Sequence, residues 1–241
     1  MIPVLLALNS ILMVIMPIAV AIVIRRKTGA GWPLFFIGAA TFILSQVFHI
    51  PFNWIIGRTG WLPADLTPWL NLIIVAVFYG LSAGVFEEGA RYLTYRFWAK
   101  DARSWSRGMM LGAGHGGIEA IVLGLLLLVN NFTLLIMASS ASIMRTVPAD
   151  QHSLILSAAE QVLQTPWYQI PIGALERAFA IIAHLALSVM VLQVFLRGSH
   201  RWLFLAIGYH ALLDAAAVLA SQRWGVYVTE GIIGLIALLG L

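Results

Sequence analysis

Residues 68–93 read PWLNLIIVAVFYGLSAGVFEEGARYL. Up to Phe86 the run carries no charge, and it nearly fills the span of about 20 apolar residues that a transmembrane helix needs. It then places Glu87, Glu88 and Arg91 before the stretch ends. A charged side chain at bilayer depth costs about 3 kcal/mol or more, so such residues mark function by default. This one stretch implies a membrane-embedded chain that carries chemistry inside the membrane.

The rest of the sequence agrees. Of 241 residues, 61% are hydrophobic and 10% charged, where a soluble domain has about 25% charged. Mean hydropathy is +0.93. Apolar stretches at 3–24, 32–56, 68–95, 108–129, 171–196, 201–221 and 225–241 predict an all-α, polytopic membrane helix bundle of about seven transmembrane helices. The first is too long, and lacks the basic front end, for a signal peptide. Between 130 and 170, FTLLIMASSASIM and ADQHSLILSAAEQVLQ read as interfacial or re-entrant helices, with two further spans as the alternative. No composition shift divides the chain, so residues 1–241 form a single integral membrane domain.

There is no cysteine, which excludes disulfide and thiolate chemistry. The net charge of +4 belongs to residues flanking the spans and implies no nucleic-acid partner. Basic residues cluster at 25–27, 96–107 and 197–201, with only Arg58, Arg145 and Arg223 on the other side. By the positive-inside rule this predicts the N-terminus outside and the C-terminus in the cytoplasm.

Several further spans carry ionisable residues: His115 and Glu119, His184, and His210 with Asp214. At 1.5 Å per residue, these and Glu87 lie roughly 10–19 Å from the cytoplasmic ends of their spans. Acids and imidazoles from successive helices thus share one layer. His115 and Glu119 are four residues apart, as are His210 and Asp214, so each helix presents an imidazole and a carboxylate on one face. Glycines flank His115 in GAGHGGIEA and allow close helix approach. Glu176 and Arg177 read as a structural pair, and His49, His152 and His200 as loop or interface residues.

The motifs EEGAR (Glu87–Arg91), GHGGIEA (Gly114–Ala120), ERAFAIIAH (Glu176–His184) and HALLD (His210–Asp214) resemble the YhfC family of intramembrane proteases. That family is grouped with PrsW and the type II CAAX prenyl endopeptidases. The resemblance covers roughly residues 80–220, which would be the catalytic core. It implies that Glu87 or Glu88 is the base, assisted by His115, while His210 and Asp214 face the scissile carbonyl. Arg91 comes one residue earlier than in the CAAX pattern, and His115-Gly-Gly-Ile-Glu119 replaces a phenylalanine-led histidine motif. Base and arginine partner therefore stay open between Glu87 and Glu88, as does one role between His115 and Glu119. A metal variant would use His115, His184 and His210 to hold zinc.

The expected activity is hydrolysis of a peptide bond in a membrane-embedded or lipidated substrate near the cytoplasmic leaflet. The expected location is the cytoplasmic membrane of a bacterium or archaeon, in contact with its lipid. Two other classes share these features. Acid–histidine chains also build proton-coupled transporters. The same superfamily is similar to a non-catalytic subunit of γ-secretase, so a membrane scaffold is the other alternative.

Overall fold

The computed structural model describes residues 1–240. Helices α1 (Ile2–Thr28), α2 (Trp32–Arg58), α3 (Trp69–Leu93), α4 (Trp105–Ser139), α7 (Ile172–Arg197) and α8 (Arg201–Arg223) are the six long and apolar enough to cross a membrane. Between α4 and α7 lie the short α5 (Ala141–Met144) and the amphipathic α6 (His152–Gln164). The chain closes with α9 (Val226–Leu239). Among the described residues there is no strand.

Two expected boundaries move. The fourth span, expected to end near 129, continues to Ser139, so α4 takes in most of the FTLLIM stretch. Asn131 does not end the helix because it is buried against the bundle. The last helix has 14 residues, about 21 Å at 1.5 Å per residue, which is short of a hydrocarbon core of about 30 Å. It packs on α7 and α8 instead. Helix α6, with 13 residues, is likewise too short to span and rests against α4.

The bundle is built around α4, which packs on α1, α2 and α7, while α3 packs on α8 and α2. Glycine makes the α2–α4 crossing possible. A Cβ at Gly38 would collide with the Leu111 carbonyl, and one at Gly114 with the Phe35 carbonyl. Backbones this close are the membrane substitute for a hydrophobic drive that lipid removes. Polar side chains complete the joints. Asn9 on α1 accepts from the Ala174 amide at 3.0 Å and so satisfies an orphan donor in the first turn of α7. Thr41 on α2 meets Thr94 at 2.8 Å, where α3 passes into a π-helical turn over Thr94–Trp98.

Candidate active site

Helices α3, α4, α7 and α8 bring the expected residues together, and α2 adds one more wall. On α3, Glu87 and Glu88 point about 100° apart because a turn holds 3.6 residues. The structure uses that divergence. Glu88 pairs with Arg91 on its own helix, and both are fully buried. The other Glu88 oxygen, Oε1, accepts from His210 Nδ1 at 2.8 Å. Both oxygens of Glu88 are therefore committed. Glu87 instead turns Oε2 to His115 Nε2 at 3.1 Å and Oε1 to the Gln46 amide at 3.0 Å.

Glu119 lies one turn beyond His115 on α4 and reaches α7. Its Oε2 accepts from His184 Nε2 at 2.8 Å, and its Oε1 from Arg177 at 2.6 Å. Arg177 also bonds Glu176 at 2.5 Å. The pair expected to be merely structural thus ends on a residue of the site. Arg91 donates to His184 Nδ1 at 3.1 Å. A guanidinium can only donate, so His184 carries its proton on Nε2, facing Glu119. On α8, His210 Nε2 stands 3.6 Å from Asp214 and 4.0 Å from Glu87. The imidazoles of His115 and His184 are 5.0 Å apart between centroids, and those of His184 and His210 5.5 Å.

Glycine again sets the spacing. A Cβ on Gly116 would come within 2.7 Å of the His184 ring, so the bare backbone lets α7 bring that ring against α4. A polar cavity of about 100 Å³ lies beside the cluster, lined by Glu87, His184, His210 and Asp214 and extending to Glu176 and Ile233. A cavity of this size and lining has room for water, since each water needs only about 10–15 Å³ of such space and two to four polar partners.

Glu88 and Glu119 each have an arginine, whereas Glu87 pairs with none. Ligand atoms of Glu87, His115 and His184 lie within 4.8 Å of one another. Two imidazoles and a carboxylate form one of the usual donor sets of catalytic zinc, which leaves a fourth position open. This set differs from the trio of histidines read from the sequence, because His210 is engaged with Glu88 and Asp214. His115 Nδ1 is buried without a hydrogen-bond partner. His184 would exchange its contact with Arg91 for the ion while Glu119 keeps the opposite nitrogen, the carboxylate–histidine support usual at such sites. The residues fit a zinc ion.

Sequence reasoning missed α2. His49 is not a loop or interface residue but is buried inside the span, hydrogen-bonded to Gln46, Ser82 and Asn53. The signal was available: Gln46, His49 and Asn53 fall at i, i+3 and i+7, one helix face. His152 and His200 do lie near connections, bonded to the Val147 carbonyl and the Tyr92 hydroxyl.

The helical membrane bundle thus encloses acid–histidine pairs and a Glu/His/His donor set. A family model described as "YhfC intramembrane metalloprotease" matches residues 12–237, and the chain belongs to this family. It is also similar to "Uncharacterized membrane protein YhfC" of Bacillus subtilis (strain 168). The two are 31% identical over 219 residues, which covers 90% of this chain and 84% of the relative. No solved structure matches.

Proposed function

We propose that this chain is an intramembrane endopeptidase that hydrolyses a peptide bond in a membrane-embedded or lipidated substrate. One observation carries the reading: Glu87, free of any arginine, is bonded to His115 behind it and lines a cavity together with His184. Burying a carboxylate in lipid without a cation is expensive, and a structural role would have been served by an apolar residue.

The side chains divide the work by position. Glu88 is paired with the Arg91 cation and lies off the cavity, whereas Glu87 has no arginine and lines it, so Glu88 supports the site and Glu87 is the base. Glu87 binds the attacking water beside His115 and takes up its proton, a step that needs hydrogen-bond reach before anything else. His210 gives its Nδ1–H to Glu88 and turns Nε2 toward Asp214 in the cavity wall. As the imidazolium it faces the scissile carbonyl and donates from Nε2 to the oxygen on which negative charge develops, where a preorganised donor acts most strongly. Glu119 holds His184 in one tautomer, and Arg177 holds Glu119. In a metal form, Glu87, His115 and His184 would hold zinc, which would polarise the carbonyl and acidify the water, and Glu87 would then act as a ligand in place of its role as the base.

The π turn lengthens the third span to Trp98. Counted from there, Glu87 is about 16 Å along the axis. Because this 30-residue helix is longer than a core about 30 Å thick, we place the cut in the cytoplasmic half of the membrane. The test is metal content and cleavage together. Protein purified without chelator should carry close to one zinc per chain and cut a reconstituted single-span peptide. Chelation should stop the cutting and zinc should restore it. Full cleavage by Glu87→Gln would remove the mechanism.

A further inference from the structure

We propose that Gln46, itself held by His49, is a positioning residue that sets the direction in which the Glu87 carboxylate faces. Helix α2 presents Gln46, His49 and Asn53 along one face, and hydrogen bonds join them end to end. Asn53 Nδ2 lies 2.8 Å from His49 Nε2, His49 Nδ1 lies 3.3 Å from Gln46 Oε1, and Gln46 Nε2 lies 3.0 Å from Glu87 Oε1.

Chemistry fixes the direction of every link. A carboxylate only accepts, so Gln46 must offer its amide N–H to Glu87 and its carbonyl to His49. His49 then carries its proton on Nδ1, and its bare Nε2 accepts from the Asn53 amide. Ser82 Oγ stands 3.1 Å from that nitrogen but gives its hydrogen to the Tyr79 carbonyl at 3.0 Å. The His49 ring stacks on Phe86 at 5.4 Å and 24°, which holds its plane. Every donor in the row points toward Glu87.

The consequence falls on the carboxylate. The terminal torsion of a glutamate is soft, and a carboxylate without an arginine would turn. Gln46 occupies Oε1 and leaves Oε2 to His115. An arginine in the same place would bind the charge. A neutral amide orients the group and leaves the charge available to a water or a metal. Outer partners of this kind typically carry a 10–100-fold share of metal affinity or activity.

This role rests on the reading of Glu87 as a working residue, so the experiment separates the two. Full-length protein labelled with 15N-histidine is studied in detergent, first stripped of metal. The His115 side-chain resonance is identified by its loss in His115→Ala. We expect it to shift in Gln46→Leu and in His49→Leu. It should return to its wild-type position in His49→Asn, whose amide N–H replaces that of the imidazole. Thr41→Val, which removes the Thr41–Thr94 bond elsewhere on α2, should leave it in place whatever its melting temperature. In zinc-loaded protein, Gln46→Leu should lower zinc affinity and kcat by about 10–100-fold at unchanged KM. A wild-type His115 resonance in Gln46→Leu, an equal shift in Thr41→Val, or wild-type affinity and turnover would each overturn the proposal. The expected resonances in a protein that binds no zinc and cuts nothing would uphold the positioning and reject the protease.

Discussion

Replacing Arg91 by Met should separate the two adjacent glutamates by their effects. Arg91 and Glu88 are both fully excluded from solvent. Arg91 also spends a donor on His184. Its removal leaves the Glu88 carboxylate buried with His210 as its remaining partner. Breaking a buried ion pair from one side costs about 3–5 kcal/mol. A chain of this length loses roughly 2–4 °C of melting temperature per kcal/mol, so the drop should be about 6–20 °C. Glu87→Gln keeps the shape and strands no charge. It weakens two hydrogen bonds, those to Gln46 and His115, at about 0.5–1.5 kcal/mol each. Its melting temperature should therefore fall by about 2–12 °C, less than in Arg91→Met, while cleavage is lost. The double variant Glu88→Gln/Arg91→Met should be less destabilised than the sum of its singles, because the stranded charge is gone. Thermal melting in one detergent, run beside peptide turnover, reads wild type, the single variants Arg91→Met, Glu87→Gln and Glu88→Gln, and the double variant. Equal melting of Arg91→Met and wild type, or a fall in Glu87→Gln as deep as in Arg91→Met, would refute this division of roles.

Other outcomes follow from the same structure. Gly116→Ala places a methyl within 2.7 Å of the His184 ring and should cost about 1–3 kcal/mol by overpacking, with turnover falling further than melting temperature; equal turnover would deny that this contact sets the ring. His210→Ala should abolish cleavage while zinc content stays near wild type, because His210 stands outside the Glu87–His115–His184 set; loss of the metal would put it inside. For topology, cysteine at Ser104 should resist an impermeant label in intact cells and cysteine at Ser153 should accept it; the reverse pattern would invert the orientation read from the basic residues.

Much of the site was legible because helical spacing is rigid. The pairs His115/Glu119 and His210/Asp214 each hold one face, and span lengths brought them to one layer. Contacts between helices were less legible, since they depend on how each helix is rotated. Glu119 lies on the face of His115, yet its partners are His184 and Arg177 on α7. The choice of Glu88 for Arg91 over Glu87, both within one helical turn, follows from α8 delivering His210 to the same carboxylate. Gln46 and His49 were passed over because α2 shows one lone histidine and no acid, and neutral hydrogen-bonding groups raise no alarm in an apolar run. Span ends failed where a polar residue was buried rather than exposed, as at Asn131. The seventh span shrank because its 14 residues lean on α7 and α8.

The most direct test compares peptide termini in the membranes of cells that make wild-type protein with those that make Glu87→Gln at matched abundance. New termini are expected within apolar spanning segments in the wild-type membranes alone, lost on chelation. The same termini in both membranes, or none that distinguish them, would contradict the proposed activity.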